Sequence, residues 1–273
     1  MKDEDLVKSC YSKDLSERKN WYSEFADAYN KARPRYPKEL IYRVVEVAKL
    51  EKEATILEVG CGPGNATIAF AELGFSMLCI EPSQRFYQLA RQNCTPYPSV
   101  EITNTSFEEW QLETQKFNAV LAANSWHWIP PEIKYPKAAA ALQEHGYLIL
   151  LWNMLPQPTY EVYQALHQVY QSQGVSIPAY EQMETQAEII RGFGQNVIDS
   201  GMFNSLVSEH LRCEVTYSID DYLTLLSTLS FYRIQEPEKM DFVFQSLRSV
   251  LESNWGSDIH VSYLSAFNIA EKV

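Results

Sequence analysis

With 273 residues, 46% of them apolar and 21% charged, the chain can bury a core of its own without disulfides or metals, which excludes a disordered chain and a membrane-embedded one. A formal net charge of −12 opposes a phosphate backbone, because nucleic-acid binding draws on Lys and Arg displacing counterions, and no long basic run offsets it. Neither nucleic acid nor membrane is an expected partner.

The segment to residue 52 reads as an N-terminal helical cap. It opens Met1-Lys2-Asp3-Glu4-Asp5, without the basic-then-apolar pattern of a signal peptide. Phe25-Ala26-Asp27-Ala28-Tyr29 follows, then Arg33-Pro34-Arg35-Tyr36-Pro37, whose prolines fix a turn before a helix predicted over Ile41 to Leu50. From Thr55 to Trp152, short β-branched or apolar runs alternate with longer amphipathic stretches. Strands are predicted at Thr55 to Val59, Ser76 to Ile80, Val100 to Asn104, Ala119 to Ala123 and Tyr147 to Trp152. This is the pattern of a parallel sheet with crossover helices, and it places a doubly wound α/β core at 53–155.

Pro156 and Pro158 then break the pattern, and 156–204 reads as a helical insertion covering the acceptor side, with Tyr160, Tyr163, Leu166 and Tyr170 on one face. Beyond it come a strand from Leu206 to Tyr217, helices through Leu226 and from Pro237 to Asn254, and a last strand from Ile259 to Ile269. Residues 205–273 thereby complete a seven-stranded, mostly parallel sheet. The expectation is one domain over 1–273, Rossmann-like, with a helical lid before the core and a helical insertion after the fifth strand. Cys10, Cys61, Cys79, Cys94 and Cys213 are odd in number and scattered, with no C-x-x-C pair. They read as reduced cytoplasmic thiols and not as metal ligands.

The segment with the most chemical content is Glu58-Val59-Gly60-Cys61-Gly62-Pro63-Gly64-Asn65, a buried strand running into a glycine-rich turn and a helix. Glycine allows the tight turn and lets a ligand touch the backbone. The spacing is G-x-G-x-G; the dinucleotide fingerprint wants its third glycine where Asn65 stands, which argues against a nicotinamide or flavin cofactor. Glu81 ends the second strand, at the distance where a carboxylate meets an adenosine ribose.

Glu58-Val59-Gly60-Cys61-Gly62-Pro63-Gly64 with Glu81-Pro82 resembles the first two motifs of class I S-adenosylmethionine-dependent methyltransferases. The resemblance continues through Ser106-Phe107-Glu108 and Ala122-Ala123-Asn124-Ser125-Trp126-His127-Trp128, and covers roughly Phe25 to Trp152. More narrowly, Tyr29 to Pro37 resembles the Y-x-x-x-R-P-x-Y-P segment of small-molecule methyltransferases related to the trans-aconitate and ubiquinone types. The likeness implies S-adenosylmethionine as cofactor and a small-molecule acceptor. It assigns Glu58, Gly60, Cys61, Gly62, Gly64, Glu81, Pro82, Ser106, Phe107, Ala123 and Asn124 to the cofactor site. It also assigns Tyr29, Arg33 and Tyr36 to a lid, with Arg33 partnering the methionine carboxylate. Where relatives show an acidic or polar residue beside adenine this chain has Thr105-Ser106-Phe107, and where they show Pro-Gly-Gly it has Glu144-His145-Gly146.

Several readings stay open at this stage. His127 either takes a proton from the acceptor or packs between two tryptophans. Ser125 either faces the transferring methyl or caps a helix. Tyr160, Tyr163 and Tyr170 either line an acceptor pocket or simply pack. The alternatives to a methyltransferase are an NAD-dependent oxidoreductase and a non-catalytic S-adenosylmethionine-binding module. The acceptor itself and the oligomeric state are not legible in the chain.

Overall fold

Eight strands form one mixed sheet with the first strand near its middle. In the computed structural model, which describes residues 14–21, 23–233 and 235–273, β1 (Thr55–Val59), β2 (Ser76–Ile80), β3 (Val100–Thr103), β4 (Phe117–Ala123) and β5 (Leu142–Asn153) are mutually parallel. β8 (Asp258–Lys272) lies antiparallel beside β5, and β7 (Phe203–Ser218) pairs with it antiparallel along its length. The two-residue β6 (Gln157–Pro158) also pairs with β8. The order β3-β2-β1-β4-β5-β8 reverses direction between β1 and β4, which opens a crevice at the carboxyl ends of those strands. Met1 to Asp5 and Cys10 lie outside the described residues.

Helices cover both faces of this sheet, so its central strands are buried on both sides and read as continuous apolar runs. On one face Leu57, Val59, Val120, Leu148 and Leu150 pack with α6 (Pro131–Ala141) and α8 (Met183–Asp199). On the other, Ile56, Leu121, Ile149 and Leu151 pack with α3 (Lys38–Val47) and α4 (Asn65–Ala71). A further apolar cluster joins α7 (Tyr160–Ser172), α9 (Ile219–Ser227) and α11 (Pro237–Trp255) around Tyr170, Tyr222, Val243 and Leu247. Tyr170 is 2% exposed and its hydroxyl meets that of Tyr232, so it is a packing residue. The predicted tyrosine stripe therefore divides, since Tyr160 is 57% exposed.

β1 and β2 begin and end where the apolar runs do. β5 begins at Leu142 and not at Tyr147, because His145 adopts a left-handed backbone (φ +59°) that bends Glu144-His145-Gly146 within the strand instead of ending it. Its Nδ1 lies 2.8 Å from Glu271 Oε1. The helix after Pro37 spans Lys38–Val47 and not Ile41 to Leu50, since Pro37 caps it directly and left-handed Lys49 follows its end. The eighth strand is β6: the proline expected only to break the pattern also makes a short bridge to β8. Among the described residues no helix is long and apolar enough to cross a membrane, and Cys61, Cys79, Cys94 and Cys213 are free thiols.

Candidate active site

The glycine turn is built by backbone conformations that side chains resist. After Val59 the chain passes through Gly60 (φ +67°), Gly62 (φ +57°) and Gly64 (φ +91°) into α4. Gly60 N–H donates to Ile80 O (2.8 Å), and Cys61 N–H to the same oxygen (3.2 Å), which ties the turn to the end of β2. A Cβ on Gly60 would sit 2.8 Å from Ser125 Cβ, because Ser125 closes over the turn and its hydroxyl donates to Val59 O. Gly60→Ala is therefore expected to cost about 1–3 kcal/mol of stability, as a left-handed alanine with a clash. A urea midpoint equal to that of the parent chain would show that the turn relaxes at no cost.

Glu81 sits where β2 ends, 4% exposed. Its Oε2 accepts from Gly62 N–H at 2.8 Å and its Oε1 from Ser83 N–H at 2.8 Å. One carboxylate thus fastens the glycine turn to the start of α5 (Gln84–Asn93). Burial pushes its pKa up to about 7, against the pull of the two N–H donors.

Two residues assigned to the cofactor by resemblance stand elsewhere. Glu58 is fully buried, does not line the cavity, and accepts from Thr67 Oγ1 at 2.6 Å; burial raises its carboxyl to about 8. It supports the turn from behind, because its place in β1 points it toward α4 and the Cys79 thiol. Gly64 is likewise absent from the cavity lining and serves as the left-handed cap of α4.

The remaining assigned residues, Tyr29, Arg33, Tyr36, Gly60, Cys61, Gly62, Glu81, Pro82, Ser106, Phe107, Ala123, Asn124 and His127, line one cavity of about 380 Å³ over the strand ends. Arg33 donates from Nε to Thr228 Oγ1 (2.8 Å) and from Nη2 to Thr228 O (2.9 Å), with its guanidinium 4.9 Å from the Tyr29 ring centre. Tyr29 packs edge-on against Phe86 at 5.2 Å. Ser106 is used differently from the expectation: its hydroxyl donates to Glu109 Oε2 (2.9 Å) and accepts from Glu109 N–H (3.2 Å), so it is committed to its own turn. Phe107 is buried and stacks on Trp110 at 6.1 Å.

His127 lies in the cavity wall with its ring 5.5 Å from that of Trp128 and 6.0 Å from that of Trp152. Desolvation, and then the nearby Lys134 ammonium, push its imidazole down to about 4, which makes it a neutral hydrogen-bond acceptor at pH 7 and a weak base. Asn124, in a left-handed conformation (φ +52°), accepts at Oδ1 from Tyr36 Oη and from Asn153 N–H, both at 2.7 Å, and donates to Asn153 O at 3.0 Å. Asn153 in turn donates to Pro34 O (3.0 Å) and accepts from Ser265 Oγ (2.6 Å). The Arg33–Pro37 segment is thereby laced to the ends of β4 and β5 and to the middle of β8.

Other lining residues escaped the sequence reading. Arg18, on α1 (Leu15–Asn20), donates from Nη1 to Glu108 Oε1 at 2.7 Å and to Trp128 O at 2.8 Å, bringing α1 over the cavity. Asn65 lines it too, and its buried Oδ1 has no partner among the described residues. At the far end Trp152 stacks on Phe193 at 4.3 Å, its indole N–H fixed by Asn268 Oδ1 at 2.8 Å.

Residues 56–146, which hold the glycine turn, Glu81 and His127, match a family described as methyltransferase domain. Over those residues the chain is similar to methyltransferase domains. An uncharacterized methyltransferase of Mycobacterium tuberculosis is 28% identical over 145 residues, so that match spans 53% of this chain and 56% of the relative. An uncharacterized methyltransferase of Schizosaccharomyces pombe is 23% identical over 222 residues, 80% of this chain and 82% of its own. Among solved structures, a protein from Anaeromyxobacter dehalogenans described as a type II methyltransferase has a TM-score of 0.63 at 20% identity, covering 88% of this chain and 97% of that one. A phosphoethanolamine N-methyltransferase of Haemonchus contortus, in complex with phosphomonomethylethanolamine and S-adenosylhomocysteine, has a TM-score of 0.52 at 14% identity, covering 94% and 58%. At such identities the structural likenesses establish the fold alone. The cavity lies where that fold has its strand ends and its topological switch.

Proposed function

We propose that this domain binds S-adenosylmethionine in the cavity and transfers its methyl group to a small-molecule acceptor. The observation that carries the reading is the buried Glu81 carboxylate, fastened to the glycine turn through Gly62 N–H in one cavity with Arg33 and Asn65. These groups fit the ligand. Glu81 keeps lone pairs for two ribose hydroxyls, and Arg33 brings a guanidinium for the methionine carboxylate. Asn65 Oδ1 is a buried acceptor that the methionine ammonium would satisfy. A Cβ added at Gly62 would meet nothing within 4 Å, which leaves the turn open to close approach by a ligand. The Haemonchus contortus fold relative, which holds S-adenosylhomocysteine, supports the same donor.

When bound, the cofactor would be held by Glu81, Arg33 and Asn65 and would supply a sulfonium methyl to the acceptor's lone pair. The protein's part is alignment and exclusion of water. Trp128, Trp152 and Phe193 give the acceptor end an apolar wall, and α1 covers the cavity through Arg18. His127, neutral at pH 7, orients an acceptor hydroxyl or amine by accepting a hydrogen bond from it. Free thiols at Cys61, Cys79, Cys94 and Cys213 suit a reducing compartment, and we place the reaction in the cytoplasm.

Thermal unfolding with S-adenosylmethionine, S-adenosylhomocysteine and NADH tests the donor, since a ligand at a hundredfold its Kd adds roughly 2.7 kcal/mol to stability. The first two are expected to raise Tm and NADH to leave it unchanged. A shift with NADH alone would favour an oxidoreductase, and no shift with any of the three would refute the donor site.

A further inference from the structure

A second cavity, of about 600 Å³, opens on α7 away from the glycine turn. Its lining is made of rings and amides. Tyr160, Tyr163 and His167 come from α7 and Tyr180 from the segment after it, with Gln164 and Gln168 one helical turn beyond Tyr160 and Gln164 respectively. Gln171 and Gln182 complete it, and no Asp, Glu, Lys or Arg side chain contributes. On α7 these positions follow one helical face, and it is not the face that holds the fold, which is Val162, Leu166, Val169 and Tyr170.

The rings are held in mutual contact. Tyr163 stacks on Tyr160 (6.2 Å, 18°) and on His167 (5.6 Å, 27°), while Tyr180 stands edge-on to Tyr160 at 5.3 Å. Two hydroxyls anchor the assembly to backbone, Tyr163 Oη donating to Pro178 O (3.4 Å) and Tyr180 Oη to Pro158 O (3.1 Å). Tyr160 remains 57% exposed. An exposed aromatic group fixed in this way is pre-organised for a ligand.

We propose that this cavity is a binding site for a neutral saccharide. A sugar ring carries one face of C–H groups, polarised by neighbouring oxygens, that rests on the negative face of an aromatic ring. Its edge is a row of hydroxyls, each donor and acceptor, matched by glutamine amides that offer both roles. A phosphate, carboxylate or ammonium ligand would find no Lys, Arg, Asp or Glu in the lining to offset its desolvation, and a purely apolar ligand would leave the amides unpaired. The volume falls within the roughly 300–1,000 Å³ usual for small-ligand sites. The Pro178–Gln182 segment separates this cavity from the first: Pro178 and Glu181 line the inner one, Tyr180 and Gln182 the outer. The site is argued from its own lining and does not depend on the methyl donor.

The test is a calorimetric titration of the full chain with maltotetraose, cellotetraose and N-acetylchitotetraose, with tyrosine-ring NMR shifts as a second readout. One of the three is expected to saturate at millimolar concentration. Tyr160→Ala and Gln168→Ala are each expected to weaken it about tenfold, the scale of one lost stacking contact or hydrogen bond. Both side chains are exposed, so Tm is expected to hold in the variants. No saturation with any of the three sugars overturns the proposal, as does equal affinity in both variants. Saturable binding of a proline-rich decapeptide in place of the sugars also overturns it, in favour of a peptide groove.

Discussion

Between about pH 8 and about pH 6, S-adenosylhomocysteine is expected to bind about tenfold more weakly, because a carboxyl with a pKa near 7 is only about one-tenth ionised one unit below it. Glu81, whose pKa burial raises to about 7, is that carboxyl, and in the proposed donor site only its ionised form would accept from both ribose hydroxyls while keeping its bonds from Gly62 and Ser83. Binding then releases a proton near pH 7, which calorimetry in buffers of different ionisation enthalpy detects directly. Glu81→Gln is expected to flatten the pH dependence, and Glu81→Ala to weaken binding by ~1 to 3 kcal/mol at the high-pH plateau, the range for losing hydrogen bonds to a charged group. The ligand-free chain responds with the opposite sign. Glu81 and Glu58 have folded pKa values raised to about 7 and about 8, so the stability they contribute is fully present below the unfolded carboxylate range. It is lost as pH rises through those folded values. Affinity that stays constant over this interval, with no proton released, would show that the Glu81 charge is not part of the donor site.

Much of this arrangement is legible in the chain because it is local. A β-branched run followed by Gly60, Gly62 and Gly64 can only be a strand entering a strained turn, and a carboxylate one strand later must come to rest beside it, because β1 and β2 are parallel and in register from Thr55↔Ser76 to Val59↔Ile80. The same locality explains where the structure differs. Glu58 reads as a site residue because it belongs to the motif, but alternation along β1 turns it to the sheet face that α4 covers, where it meets Thr67. Ser106 stands after β3, where the resemblance implies a cofactor contact, and it lines the cavity, but nothing in the sequence shows that its hydroxyl is taken by Glu109 three residues on.

The parts that were not legible are contacts between distant segments. Arg18 reaches Glu108 and Trp128 across most of the core's length, and Phe193 meets Trp152 from an inserted helix. No periodicity in either segment encodes its partner. Gln186 shows why the insertion is firm once formed: its amide donates to Leu155 O at 2.9 Å and accepts from Leu264 N–H at 2.9 Å, joining α8 to the chain after β5 and to β8. The end of the cavity around Trp152 and Phe193 is therefore walled by residues whose meeting depends on the completed sheet, while the glycine turn is written in one contiguous motif.

Asn124→Ala is expected to lower stability by about 4–5 kcal/mol, by adding about 1 kcal/mol for each of three lost hydrogen bonds to the ~1–2 kcal/mol cost of a left-handed alanine. Asn124 is left-handed at φ +52° and makes three side-chain hydrogen bonds, to Tyr36 and twice to Asn153. Asparagine tolerates that backbone conformation and supplies both acceptor and donor, which no apolar residue of its size does. Tyr36→Phe removes only one of the three contacts and is expected to cost about 1 kcal/mol, within the usual range for one buried hydrogen bond. Because Asn124 joins the lid to β5, the two changes share a partner, and the double variant is expected to be less destabilised than the sum of the singles. Urea midpoints for the four chains give the cycle. Strict additivity would mean that Tyr36 does not act through Asn124, and a cost for Asn124→Ala no larger than for Tyr36→Phe would mean that the network does not hold the lid. If the network does hold it, the Asn124 variant is also expected to release S-adenosylhomocysteine faster at unchanged Glu81 chemistry, since the Tyr36 hydroxyl and the Pro34 carbonyl are bonded to Asn124 and Asn153.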